Sequence, residues 1–355
     1  MNKKGRHKAG LPKALYSINR VAIIYCATLA TAPGREIEKW ADCEVSKVAQ
    51  AVKAVLDSYG CEAEVVNLDP TRIGELVKFD WVFNLAESIY GYPLADYEIA
   101  EQMERYGIGF TGSGSKSLKT CLDKALTKCE LLRNGIGTPA YELFQPGSSI
   151  YNHLEYPLIV KPLHEDGSIG ITNDSIVRND AELVRTVERV HRLYQQAALV
   201  EEFIEGRDIS ASIIGNGDDA VVLPLSEITY PEQAGPKFQT FKSKWIGDTD
   251  DYQNSAAICP SILKPEVEIL IKDIALKAYQ IMGCRDYARV DFRLRDETPF
   301  VLEVNPNPYI DPDDSGFVRS SKAGGFPYNS MVWKILKDSL RDRLQFQINI
   351  AQVQL

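Results

Sequence analysis

The chain reads as an α/β protein with an α+β C-terminal part, and three observations predict it. Short apolar runs alternate with helical periodicity over the first third. Near residue 290 two segments alternate polar and apolar positions around a turn-like centre, the mark of a β-hairpin. The length, 355 residues, exceeds what one small core serves, so two or three packed domains are expected.

The elements follow in order. Residues 21–25 (Val-Ala-Ile-Ile-Tyr) read as a buried first strand. A basic start (Lys3, Lys4, Arg6, Lys8, Lys13) before the apolar run also imitates a signal peptide. The strand is preferred because Arg20 abuts the run and a helical pattern follows. That helix is expected over 44–59, with Val45, Val48, Val52, Val55 and Leu56 on one face and Gly60 as its stop. Residues 64–68 and 81–85 read as strands, and a helix over 95–105 ends at Gly107. Such alternation implies a parallel sheet with helices on its faces.

Thr111-Gly-Ser-Gly-Ser115 reads as a flexible junction. Beyond it, Leu118, Leu122, Ala125, Leu126, Cys129 and Leu132 mark one helix stopped by Asn134-Gly135. A strand at 156–161, a Gly-containing loop, a helix over 181–196 and a strand at 198–204 come next. The expected domains are 1–111, 112–204 and 205–355.

Charge and cysteine usage narrow the function. With 40 Lys+Arg against 49 Asp+Glu the net charge is −9, which argues against a sequence-independent grip on nucleic acid. No apolar run approaches the roughly 20 residues that cross a bilayer, so no membrane partner is expected. Seven cysteines, odd in number and without a Cys-x-x-Cys, suit a reducing cytoplasm.

The hairpin carries the most charge. Centred on Glu297, it would place Asp291 opposite Glu303 and Arg289 opposite Asn305, all four on one face. A slip of one residue would break that register. Two opposed carboxylates repel unless something neutralises them. A hard dication taking oxygens from Asp291, Glu303 and the Asn305 amide would do so, with room left for water and phosphate. The alternative is a solvated face on which Arg289 and Arg293 pair with the acids. Lys161 ends a strand beside Gly167, Ser168 and Gly170, residues able to curl backbone N–H groups around phosphate. Lys124 lies on the preceding helix. Glu201-Glu202-Phe203-Ile204 with Asp208 could offer backbone groups to a purine and a carboxylate to ribose, or could be plain acidic surface.

Taken together, these residues resemble the ATP-grasp superfamily and, within it, the D-alanine–D-alanine ligase family. The resemblance spans residues 21–336. It rests on ordered blocks: Phe110-Thr-Gly-Ser-Gly114, Leu122-Asp-Lys124, Val160-Lys-Pro162 with Ser168-x-Gly170, Val200-Glu-Glu-Phe203, Ala288-Arg-Val-Asp291 and Leu302-Glu-Val-Asn305. It implies a three-domain ATP-grasp fold, with an N-terminal parallel-sheet domain and two further domains that clasp ATP. By resemblance Lys124, Lys161 and Lys244 contact phosphates. Glu201 and the Glu202 and Ile204 backbone contact adenine, and Asp208 contacts ribose. Asp291, Glu303 and Asn305 ligate Mg²⁺, with Mn²⁺ as the alternative ion. Ser168 belongs to a flap over the phosphates, and Arg289 stabilises a tetrahedral oxyanion. The implied reaction is ATP-dependent carboxylate–amine ligation through an acyl phosphate, in a cytoplasmic protein of a family where homodimers are common.

Some positions depart from the family pattern. Asp42 stands where the family has a glutamate, and Gly167 and Trp245 stand where it has a serine and a tyrosine. Neither glycine nor an indole relays hydrogen bonds as a hydroxyl does. The loop after Asn305 carries Asp311, Asp313 and Asp314 before Ser315; these would repel an incoming carboxylate and could attract an ammonium, or are only a Pro-ordered acidic loop. These changes lead to the expectation of a bulkier or differently charged amino acid or small peptide rather than two D-alanines. The alternatives are a D-alanine–D-alanine (or D-alanine–hydroxy acid) ligase of cell-wall synthesis and a non-catalytic, nucleotide-binding regulator.

Overall fold

The computed structural model describes residues 18–26, 45–86, 96–231, 237–247, 249–313 and 315–353. Arg20–Tyr25 (β1) is the central strand of a parallel sheet of order β2-β1-β3, flanked by Glu62–Asn67 (β2) and Trp81–Asn84 (β3). Val21 to Ile24 are fully buried, as a strand covered on both faces must be. Helix Val45–Ser58 (α1) packs Val48, Val52 and Leu56 against Val21, Ile23 and Phe83. Asp96–Arg105 (α2) buries Ile99, Ala100 and Met103 on the opposite face, against Ala22, Ile24 and Val82. The strand–helix alternation of the sequence therefore gives the expected layered unit.

Two sequence expectations change in the next segment. The predicted single helix is two, Ser115–Leu122 (α3) and Lys124–Arg133 (α4). Asp123 between them is extended, and its carboxylate accepts the Leu126 N–H at 2.9 Å. An Asp in that position starts a helix better than it continues one, and it sets Lys124 in the first turn of α4. The predicted flexible junction is a buried clamp. Thr111 and Ser113 are fully buried, Gly112 N–H donates to Asp286 Oδ2 at 2.7 Å, and Ser113 N–H donates to Asn307 Oδ1 at 2.7 Å. Gly112 sits at φ +87, and a Cβ there would lie 2.3 Å from Asn307 Oδ1. The glycine serves close backbone approach rather than mobility.

A second sheet, antiparallel and of order β4-β7-β5-β6, comprises Tyr141–Phe144 (β4), Leu158–Pro162 (β5), Ile176–Val177 (β6) and Ala198–Glu202 (β7). Helix Asp180–Tyr194 (α5) covers it with Leu183, Val187 and Val190. The third sheet contains Arg207–Ile214 (β8), Val221–Val222 (β9), Ser226–Thr229 (β10), Ala256–Ile258 (β11), Tyr287–Arg295 (β12) and Thr298–Pro306 (β13). Its order is β11-β10-β8-β12-β13, with β9 beside β8. Between β10 and β11 lies the short helix Phe241–Trp245 (α6); Pro265–Ile281 (α7) packs Val267, Ile271, Ala275 and Ala278 on the third sheet. Gly316–Ala323 (α8) and Tyr328–Val353 (α9) return to the first unit, where Phe317, Met331, Ile335 and Leu336 share a core with α1.

Candidate active site

The β12–β13 hairpin pairs Arg289 with Asn305 and Asp291 with Glu303, as the sequence suggested. The route to that register differs from the expected one. Arg295 pairs with Thr298, so the tip is the two-residue turn Asp296-Glu297, with Asp296 at φ 55, and is not centred on Glu297. Uninterrupted pairing from this tip would set Asp291 against Leu302. Instead Phe292 pairs with Val301 and Asp291 with Glu303, so Leu302 is the extra residue of a β-bulge. The bulge is what brings the two acids face to face.

Around them the bonds are specific. Arg289 donates to Asp291 through Nε and Nη2, both at 2.7 Å. Ser210 Oγ on β8 donates to Asp291 Oδ1 at 2.8 Å. Asn305 Nδ2 donates to Asp291 Oδ2 at 2.9 Å and lies 3.4 Å from Glu303 Oε1. The alternative of a solvated ion-pair face does not hold, since the Asp291 side chain is only 17 % exposed and Arg293 points to Asp208 instead. Burial pushes the Asp291 carboxyl up, but the Arg289 guanidinium outweighs it and holds the group below the ordinary aspartate value. Burial, and then the charge of Asp291, push the Glu303 carboxyl above its ordinary value. Two buried carboxyl groups side by side supply hard oxygen donors, and the Asn305 amide, whose nitrogen faces both, adds its oxygen once the amide is turned over. Those residues fit a hard dication. Among the described residues no three or more His, Cys, Asp or Glu side chains gather as a closed cage.

Lysines converge on the same centre. Lys244, on α6, is pushed below the ordinary lysine value by burial and then by Arg289, and it feels the charges of Glu303 and Asp291. Lys124 lowers Glu303 electrostatically and donates to the Glu165 carbonyl. Lys161, on β5, pairs with Glu201 on β7. A further partner, missed in the sequence, is Lys128, which is fully buried and pairs with the other Glu201 oxygen at 2.7 Å. Its only signal was its place one helical turn after Lys124. Asp166 was also missed; its charge acts on Lys244, Arg289 and Glu303.

The remaining predicted residues are placed as follows. Glu201 is buried between its two lysines. Burial would raise its carboxyl, but Lys128 and Lys161 bring it down to about 2. Glu202 pairs with Arg295 at 2.7 Å, and the Ile204 carbonyl accepts from Arg293 Nε at 2.9 Å. Asp208 is held by Arg293 at 2.5 Å and by the Tyr230 hydroxyl at 2.7 Å. Ser168 (φ 63) and Gly167 (φ +61) form a left-handed turn, and Trp245 Nε1 donates to the Gly167 carbonyl at 2.8 Å. Trp245 also meets Tyr309 edge-on at 6.1 Å. Ser315 caps α8, its Oγ accepting the Val318 N–H at 3.2 Å. Within the acidic loop, Asp313 pairs with Lys47 at 2.9 Å, and buried Asp311 accepts the Asp313 N–H at 2.7 Å. Asp42 and Asp314 lie outside the described residues.

Comparison with known proteins bears on this arrangement. A family model described as the D-Ala D-Ala ligase C-terminus matches residues 138–337. An uncharacterized protein, y4sG of Sinorhizobium fredii, is 31 % identical over 301 residues, which is 82 % of this chain and 86 % of the relative. The D-alanine–D-alanine ligase of Ralstonia pickettii is 32 % identical over 310 residues, covering 85 % and 87 % of the two chains. A crystal structure of the Bacillus anthracis D-alanine–D-alanine ligase complexed with ATP superposes with a TM-score of 0.73 at 23 % identity, over 92 % of this chain and 99 % of that one. At that identity the likeness is one of fold. The matched family model and the relatives above 30 % identity show that this chain belongs to the ATP-grasp family of D-alanine–D-alanine ligase-like proteins.

Proposed function

We propose that the protein is an ATP- and Mg²⁺-dependent carboxylate–amine ligase that joins two amino-acid substrates. The observation that carries the reading is the bulged hairpin, which opposes Asp291 and Glu303 within reach of Lys124, Lys244 and Arg289. One substrate carboxylate attacks the γ-phosphorus of ATP, also a substrate, and ADP leaves. The amine nitrogen of the second substrate then attacks the acyl carbon, phosphate leaves, and the amine gives up a proton. Little covalent help is needed for this chemistry, so positioning and charge neutralisation dominate. Asp291, Glu303 and Asn305 would hold Mg²⁺, which would supply positive charge to the phosphates. Lys124, Lys161 and Lys244 meet the phosphates, and the turn at Gly167 and Ser168 covers them. Arg289, locked in plane by its two bonds to Asp291, offers a fixed cation to the oxyanion of the tetrahedral intermediate. Glu202 and Ile204, with Asp208, line the nucleoside, whereas the Glu201 side chain is turned inward onto Lys128 and Lys161.

The domain division 1–111, 112–204 and 205–355 belongs to the same reading, supported by one sheet in each part. So does a cytoplasmic setting, with the six cysteines among the described residues outside any disulfide.

For the substrates, the names of the curated ligase relatives favour D-alanine, and the expectation of a different amino acid finds no support in them. The Gly167–Trp245 contact keeps one variation open, because the indole occupies the space over the flap turn and narrows the choice of first substrate. Purified protein with ATP and Mg²⁺, offered D-alanine and a panel of D- and L-amino acids, tests both. Dipeptide by mass spectrometry together with phosphate release supports ligation. ATP binding without turnover on any substrate would identify a regulatory nucleotide binder instead.

A further inference from the structure

The trio Lys128–Glu201–Lys161 contains two cations and one anion, and its burial is unequal. Lys128 is fully buried, the Glu201 side chain 1 % exposed, and the Lys161 side chain 15 % exposed. Lys128 reaches the trio from α4, whereas Glu201 and Lys161 stand on the neighbouring strands β7 and β5. Its ammonium forms an ion pair with Glu201 Oε2 and donates to Thr138 Oγ1, both at 2.7 Å, and lies 5.7 Å from the centre of the Tyr141 ring. Every group around Lys128 is thus internal to the protein, and it has no exposed face with which to meet a ligand. Lys161 does have one.

We propose that Lys128 is a positioning residue for nucleotide binding, which cancels the charge of Glu201 so that Glu201 can orient Lys161 without neutralising it. The assignment rests on the reading that Lys161 meets ATP phosphate. With Lys128 present the trio carries a net single positive charge, presented at Lys161. Without it, Glu201 and Lys161 form a neutral pair and Lys161 is held away from the phosphate. Lys128 is a buried cation that acts through other charges, Glu201 first and then Lys161 and Glu303, so beyond its helical spacing from Lys124 it left little trace in sequence.

The test compares wild type, Lys128→Met, Lys128→Arg and the double variant Lys128→Met/Glu201→Gln, by titration with ATP and Mg²⁺ and by kcat and KM. Lys128→Met should weaken ATP binding about tenfold or more, the scale of one charge-assisted bond, with KM for the amino acids little changed. The double variant restores the single net charge and should recover most of the ATP affinity; Lys128→Arg should fall between. A purely structural lysine would give no such rescue. The double variant buries no uncompensated charge, so it carries the test even where Lys128→Met alone is unstable. ATP affinity unchanged in Lys128→Met, or a double variant binding no better than Lys128→Met, overturns the proposal. Wild type that fails to bind ATP overturns instead the nucleotide reading beneath it.

Discussion

Glu303→Gln should make the protein more stable and inactive at once. Asn305 Nδ2 touches Asp291 Oδ2 at 2.9 Å and lies 3.4 Å from Glu303 Oε1, so the two carboxylates approach within about 6 Å. At that separation and an effective dielectric of about 20, two unit charges repel by roughly 3 kcal/mol. Arg289, bidentate on Asp291, offsets part of this, leaving about 1–2 kcal/mol of strain from charge. Glutamine keeps an oxygen for the Asn305 amide and removes the charge. In thermal denaturation without divalent ions at neutral pH, Tm should rise by about 1–3 °C. Millimolar Mg²⁺ should raise the Tm of wild type but not that of the variant, closing the gap. A lower Tm for Glu303→Gln without metal, or equal Mg²⁺ stabilisation of both proteins, would refute the account of the acid pair.

Three further outcomes follow from the geometry. Gly112→Ala, forced to φ +87 with its Cβ 2.3 Å from Asn307 Oδ1, should lose about 2 kcal/mol or more, read by chemical denaturation. Trp245→Phe removes the 2.8 Å bond to the Gly167 carbonyl, worth about 1 kcal/mol, and amide hydrogen exchange across residues 166–170 should quicken roughly fivefold. Glu201, depressed to about 2 in the folded protein, contributes stability that is complete above the ordinary glutamate value and is lost as pH falls toward 2. Acid titration should show about 1–3 kcal/mol lost in this window in wild type and little in Glu201→Gln.

The sequence made the layered first unit legible because its patterns are local: Val21 to Ile24 form one apolar run, and α1 repeats valine at helical spacing. Helices α7 and α9 escaped because the strongest signals after residue 205 lay in the hairpin. The junction at residues 111–114 was misread for a different reason. Gly and Ser in succession look the same whether they give freedom or admit close contact, and only Asp286 and Asn307, nearly 200 residues away in sequence, decide which. At the site, the pairing of Asp291 with Glu303 was legible, whereas the bulge at Leu302 was not; a wrong tip and an unseen bulge cancelled. Asp208 was assigned from its type and position, and its hold by Arg293 and Tyr230 appears only once β8, β10 and β12 are side by side.

The central claim, that ATP cleavage is coupled to amide formation through a substrate carboxylate, is open to one direct measurement. Amino acid labelled with ¹⁸O in its carboxyl group is supplied with ATP, Mg²⁺ and enzyme, and the released phosphate is analysed by mass spectrometry. The account predicts one ¹⁸O atom in phosphate for each amide bond formed. Phosphate without ¹⁸O, its fourth oxygen drawn from solvent, would contradict it.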